Sequence, residues 1–156
     1  MDGSCHRHTI RELSRAGWAV VMVSGEGELL GVLKGPLWDP WHQTLQGSEF
    51  GALAWTGLYA EGPSACFSDC PNVVLHQSFC SADVLSAKRQ YSGLVLQARH
   101  HFGTFCRSFD KVSAHMNADE PGISSAERFR RRGNNYADIA AKKRGARAPA
   151  DESCIC

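Results

Sequence analysis

Hydrophobic positions along this chain change their period several times, and each change marks an element. Trp18-Ala19-Val20-Val21-Met22-Val23 is apolar on both alternating faces, which predicts a strand covered on both sides. Ser24-Gly25-Glu26-Gly27 then reads as a turn and Leu29 to Leu33 as a second strand, so residues 17–34 form a hairpin. Residues 35–43, rich in Pro and Trp, read as a loop. Phe50, Leu53, Ala54 and Leu58 recur as one stripe of a helix that starts at Ser48, its predicted cap, and carries Glu49 in the first turn. Gly62-Pro63 closes that helix, Ala65-Cys66-Phe67-Ser68 is a short strand delivering Asp69 at its end, and Pro71 opens a short helix to about Phe79.

Residues 86–105 predict a longer helix with Tyr91, Leu94, Val95 and Ala98 on one side. Residues 109–116 read as the last strand, 117–133 as a polar loop, and 134–143 as an alanine-rich last helix ended by Gly145. Residues 146–156 are expected to be a disordered tail. There is no internal repeat.

A chain of 156 residues suits one domain with a single core. Its net charge of +1 does not announce a nucleic-acid partner, but the charge is unevenly placed. Between Glu127 and Arg147, the basic Arg128, Arg130, Arg131, Arg132, Lys142, Lys143, Arg144 and Arg147 meet only Glu127 and Asp138. No stretch approaches the roughly 18 apolar residues of a membrane span, and no charged-then-apolar leader begins the chain. A soluble intracellular protein with no membrane partner is expected, in nucleus or cytoplasm. The seven cysteines are odd in number and scattered, so they read as reduced thiols. Cys66 and Cys70 flank Asp69 and a strand end, which argues against a zinc knuckle. The tail's Cys154-Ile155-Cys156 falls short of a prenylation signal, which needs Cys where Ser153 stands.

Candidate chemistry lies in carboxylates carried on separate elements: Asp2 near the start, Glu49 in a helix's first turn and Asp69 at a strand end. Hard oxygen ligands brought together in this way suit Mg2+, for which cysteine or histidine is a poor ligand. Asp138 stands in the alanine-rich last helix in the context Asn134-x-x-x-Asp138, and His115 precedes it. In this order and setting, the set resembles the active site of type 1 ribonuclease H, which cuts the RNA strand of an RNA/DNA hybrid.

That resemblance covers residues 2 to about 145 and implies an α/β fold, a ribonuclease H-like domain over residues 1–145. It implies a mixed five-stranded sheet in order 3-2-1-4-5 with helices on both faces, counting a first strand around Asp2. In the family several apolar residues precede the first carboxylate, whereas only Met1 precedes Asp2 here, so the first strand is read as mostly missing. A fragment of a longer protein, a mis-set start, and a stunted central strand with exposed neighbouring edges are the three readings of this departure.

The resemblance further implies a metal-dependent endonuclease using two Mg2+ ions, with Mn2+ as a substitute. Asp2 and Asp69 would hold both metals, Glu49 would complete one side and Asp138 the other. The interval from His115 to Asp138 is longer than in compact members and contains Asp119, Glu120 and Glu127; Asp138 is preferred for its helix and its Asn context. His115 matches a mobile histidine that assists proton transfer or product departure, against the plainer reading of a surface loop residue. Thr44 and Gln46 match positions that contact the hybrid's backbone, although Thr and Gln before a helix need no function. Arg130, Arg131 and Arg132 are candidate phosphate contacts, which position a duplex without reading its sequence. The expected partner is an RNA/DNA hybrid, the expected state a monomer, and the expected setting a retroelement polyprotein. The alternative is a catalytically impaired ribonuclease H-like module that binds nucleic acid or protein; a third reading is a related exonuclease of the same broad fold.

Overall fold

The computed structural model of the chain describes residues 1–7, 9, 14–38, 41–60, 62–76 and 89–145. Strands β1 (Asp2–His6), β2 (Arg15–Val23) and β3 (Leu29–Pro36) form an antiparallel sheet in the order β1-β2-β3. β4 (Ser64–Ser68) and β5 (Cys106–Lys111) form a separate parallel pair. The helices are α1 (Leu45–Tyr59), α2 (Pro71–His76), α3 (Ser92–Phe105) and α4 (Ser125–Gly145).

The predicted hairpin is present, and its turn is closed by local bonds. The Ser24 amide donates to the Glu28 carbonyl at 2.9 Å and the Gly27 amide to the Ser24 carbonyl at 3.0 Å. Gly27 has φ +84°, a left-handed conformation that a side chain would strain. β2 carries one face to each layer of helices. Trp18 and Val20 join the core formed with Phe50 and Leu53 of α1, Val73 of α2, Leu94 and Val95 of α3, Tyr91 and Phe109. Ala19, on the opposite face, packs on Ala140 and Ala141 of α4. The alanine-rich stripe of α4 is what lets that helix lie close to the sheet. Helices therefore cover both faces, as predicted.

The predicted single five-stranded sheet is not. Orders 3-2-1 and 4-5 are both realised, but no ladder joins β1 to β4. The physical reason is length: β1 reaches β4 only through the Met1 amino group, which donates to the Phe67 carbonyl at 2.9 Å. One bond at a strand's first residue cannot make a ladder, so the sheet opens between β2 and β4 above that point.

Several predicted boundaries also move. α1 is capped by Thr44 rather than Ser48: the Thr44 hydroxyl accepts from the Gly47 amide at 2.9 Å, and Ser48 turns its hydroxyl back to the Leu45 carbonyl. α4 begins nine residues before Asn134, at Ser125, where the Ser124 hydroxyl accepts from the Glu127 amide at 3.1 Å. A Glu127–Arg131 pair one turn apart, 2.9 Å between Nε and Oε1, supports the polar stretch that reads as loop in the sequence. The last strand runs from Cys106 to Lys111 instead of over residues 109–116. The long helix begins at Ser92 within the described residues, while residues 77–79, 86–88 and the predicted tail lie outside them. Cys5, Cys66, Cys70 and Cys106 are free thiols.

Candidate active site

Asp2 is the first residue of β1, and β1 crosses α1 at Ser48-Glu49. That crossing is so close that a Cβ on Gly3 would stand 2.5 Å from the Ser48 hydroxyl and 2.6 Å from the Glu49 amide nitrogen. Gly3 is therefore required there, and its amide donates to Asp2 Oδ1 at 2.7 Å, fixing that carboxylate. Glu49 comes from the second turn of α1, not the first as the sequence predicts, because the helix starts three residues before Ser48, and Asp69 is the residue after β4. One carboxylate oxygen from each of Asp2, Glu49 and Asp69 lies within 4.8 Å of the others.

Asp2 and Glu49 are both buried, with 4% and 5% of their surface exposed. Burial, then the neighbouring charge of Asp69, pushes the Asp2 carboxyl up to about 6. Burial, then the charge of Asp2, pushes Glu49 up to about 9. The two carboxyls are close enough for each to perturb the other. Glu49 Oε2 is buried and receives no donor. A converging set of acids with an oxygen left without a partner is an arrangement that a divalent cation satisfies, and the donor set is the hard-oxygen type that Mg2+ prefers. The Met1 amino group is also buried, and desolvation lowers its pKa despite the nearby carboxylates.

Asp138 lies just outside this trio. It is close enough for its charge to raise the Asp2 pKa, yet its Oδ2 is held at 2.7 Å by Lys142, one turn along α4. The same oxygen is 4.0 Å from His115 Nδ1, whose side chain is 71% exposed in a turn at φ 51°. The competing acids are committed elsewhere: Asp119 to Arg132 at 3.0 Å, and Glu120 and Glu127 to Arg131 at 2.6 and 2.9 Å.

The sequence-predicted substrate contacts are placed unequally. Arg131 is buried and spends its guanidinium on Glu120, Glu127 and the Asn117 carbonyl, so it anchors the 117–120 turn to α4 rather than presenting a free charge. Arg130 lies over the Phe67 ring, 5.4 Å from its centre, and Arg132 is half exposed beside Asp119. Thr44 caps α1 and also bonds the Tyr91 hydroxyl at 2.6 Å, while Gln46 is exposed in the first turn of α1.

Asn134 has a role that sequence reasoning missed. It is buried, donates from Nδ2 to Asp69 Oδ2 at 3.1 Å, and keeps Oδ1 without a partner. Its signal was present in the spacing, because Asn134 and Asp138 stand one helical turn apart and so face the same way.

No protein-family model matches the chain, and no curated protein matches it. Solved structures do. The native crystal structure of the prototype foamy virus protease-reverse transcriptase aligns over 95% of this chain at 17% identity with a TM-score of 0.69, and its CSH mutant does so with a TM-score of 0.71. The chain spans only 20% of either of those proteins. The solution structure of the prototype foamy virus RNase H domain aligns over 91% of this chain and 89% of its own length, at 17% identity and a TM-score of 0.63. The trio Asp2, Glu49 and Asp69 thus stands on a domain with the ribonuclease H fold.

Proposed function

We propose that this domain is an endonuclease that hydrolyses the RNA strand of RNA/DNA hybrids with two Mg2+ ions, Mn2+ substituting, and that it works as part of a larger polyprotein. The observation that carries the reading is the convergence of Asp2, Glu49 and Asp69 within 4.8 Å, with Glu49 Oε2 left without a donor. Asp2, Glu49 and Asp69 would hold the ions, with Asp138 at the margin. When bound, the ions neutralise the scissile phosphate, activate a water and stabilise the leaving oxygen.

The chain's own residues do the rest. Gly3 orients Asp2 through its amide, and Asn134 orients Asp69 through its side chain. Burial favours the protonated forms of Asp2 and Glu49, whereas ligation needs both as carboxylates, so the site loads with proton release. His115, exposed and near Asp138, stands where it can pass a proton between the site and solvent. Arg130 and Arg132, together with Thr44 and Gln46, are the groups we assign to the hybrid's backbone. Arg131 contributes by holding α4 and its turn.

The test is cleavage of a labelled RNA/DNA hybrid beside matched duplex DNA and single-stranded RNA. Activity is expected on the hybrid alone, with Mg2+ or Mn2+, and none with EDTA or in Asp69→Asn. Equal activity in wild type and Asp69→Asn would assign the cleavage to a contaminant. One feature favours the second reading, a hybrid- or protein-binding module without cleavage: Asp2 rides on a strand that no ladder ties to β4. A folded, ion-binding wild type with no cleavage on any substrate selects it.

A further inference from the structure

All four tryptophans of the chain, Trp18, Trp38, Trp41 and Trp55, line one pocket of about 350 Å3 between β2, α1 and α3. They fall into two pairs. Trp18 and Trp55 form a fixed wall: Trp18 is buried and donates its indole N–H to the Pro36 carbonyl at 2.8 Å, and Trp55 stacks on Trp18 with ring centres 5.0 Å apart and on Tyr59 at 5.5 Å. Trp38 and Trp41 have no such partners. Trp38 is 75% exposed, and among the described residues neither ring is stacked on another and neither indole N–H is bonded. Both are nonetheless held in place. The Trp41 amide donates to the Trp38 carbonyl at 2.9 Å, and Gln43 Nε2 donates to the Leu37 and Trp41 carbonyls at 3.0 and 3.2 Å, while Gln43 Oε1 accepts from the Ala16 amide of β2 at 2.9 Å. Two unstacked indoles are thus presented by backbone tied to the sheet, a pre-organisation that lowers the entropic cost of binding. No charged side chain lines the pocket, and Gln97 of α3 brings an exposed amide to it.

We propose that this pocket takes one unpaired nucleobase from a single-stranded stretch flanking the hybrid. Its volume lies at the low end for ligand pockets, roughly 300–1,000 Å3, which suits a single ring system rather than a peptide segment or a second copy of the chain. The lining suits a base in particular. Flat π-faces meet indole faces, and a polar edge meets indole N–H donors and an amide that both donates and accepts. A purely apolar ring would gain the stacking and leave those polar groups unused. With no charge in the lining, phosphates stay outside, so the base enters from a strand that remains in solvent. The inference rests on the proposed function only for the source of that strand: the segment carrying Trp41 runs on through Gln43 to Thr44 and Gln46, which we assign to the hybrid's backbone.

The test reads binding without cleavage. In EDTA, affinity and tryptophan emission are followed for three RNA/DNA hybrids: one blunt, one with a short single-stranded overhang, and one with the same overhang made abasic. The overhang hybrid is expected to bind about tenfold more tightly than the other two, the scale of one base stacked on an aromatic ring, and to quench tryptophan emission. Trp38→Ala should abolish that difference and leave the affinity for blunt hybrid and the thermal midpoint unchanged, because the ring is exposed. Trp38→Phe, which keeps an aromatic face, should restore most of it. A single-stranded oligonucleotide alone, which needs no hybrid site, should quench wild type and not Trp38→Ala. Equal affinity for the three hybrids would overturn the proposal and leave the hybrid reading standing. Failure of the oligonucleotide to quench, or quenching that Trp38→Ala retains in full, would overturn it too. So would quenching by a proline-rich peptide and by neither nucleic acid, which would assign the pocket to an extended peptide partner.

Discussion

The inner and outer acids of the site are built on opposite electrostatic terms. Asp2 and Glu49 sit under the crossing of β1 and α1, out of water, with Asp69 beside them and only the Gly3 amide as a described donor to Asp2. Asp138 keeps 18% of its side chain exposed and has a lysine at 2.7 Å. The inner pair pushes its own proton affinity upward, while the outer acid has its compensating cation already in place. In the inner region, charge is a cost that something else must offset, and a divalent ion is the offset that fits hard oxygen donors. In the outer region, charge is nearly free, so a residue there can exchange partners, and an exposed histidine beside it is well placed to do so.

The strongest way to break this contrast is to remove an inner charge at constant shape. Asp69→Asn keeps the bond from Asn134 within reach but takes away the charge facing Asp2, and hybrid cleavage should fall by about 10³-fold or more, the scale of the several kcal/mol a metal contributes. Its affinity for Mg2+, read by titration calorimetry, should fall as well. A cleavage rate within tenfold of wild type would place the reacting centre away from the trio.

The second effect is one of stability. Folded Asp2 and Glu49 hold their protons more tightly than their ordinary values of 3.8 and 4.5, at about 6 and about 9. The folded state therefore carries the extra protons in that window. Metal-free stability should be full below the ordinary carboxylate values and decline as pH rises above them, through about 6 for Asp2 and about 9 for Glu49. Mg2+ takes the deprotonated oxygens, so its stabilisation should grow over the same range. Glu49→Gln resembles the protonated acid: denaturant midpoints of the metal-free variant should be flatter between pH 5 and pH 9, and Mg2+ should no longer raise them. A wild-type stability that climbs with pH without metal would reverse the electrostatic account.

What was legible in the sequence follows the same division. Asp2, Glu49 and Asp69 could be read because they are carboxylates carried on three separate elements, two of them at strand ends and Glu49 near the start of α1. The hairpin of β2 and β3 was readable from its apolar run and glycine turn. Less local features were not. The early start of α4 was hidden because Arg128 to Arg132 look like solvated loop; what makes them helical is a pair one turn apart and the packing of Phe129 edge-on against Phe67, 5.9 Å between ring centres. The cap of α1 was misplaced by four residues because Thr44 and Ser48 are chemically equivalent candidates, and only the tertiary contact of Ser48 with β1 separates them. The split of the sheet and the inward turn of Arg131 depend on partners distant in sequence.

The outer region predicts smaller effects. His115→Ala removes an exposed group whose help water can partly replace, so cleavage should fall by no more than about 10²-fold and Mg2+ affinity should not change. Lys142→Ala should sharpen the distinction: freed of its cation, Asp138 becomes available to an ion, and Mg2+ should bind no more weakly than in wild type. A loss of Mg2+ affinity in His115→Ala equal to that of Asp69→Asn would erase the distinction between inner and outer groups.

The smallest expected effect separates two kinds of arginine on one helix. Arg131 is enclosed by Glu120 and Glu127, and replacing it leaves those carboxylates unpaired, so Arg131→Ala should lower the thermal midpoint. Arg130 and Arg132 lie at the surface, one over an aromatic ring and one beside an exposed Asp119, and their removal should leave the fold intact. If they meet phosphates, the Arg130→Ala/Arg132→Ala variant should bind hybrid more weakly, by a few-fold at low salt. The slope of log affinity against log salt should flatten by roughly one to two units, since each lost phosphate contact removes a little under one. Arg131→Ala, measured below its unfolding range, should leave that slope unchanged, because its charge is already spent inside the protein. An unchanged slope in the double variant would make the outward face of α4 a solvated surface and move the hybrid's phosphate contacts to the Thr44 and Gln46 side of the site.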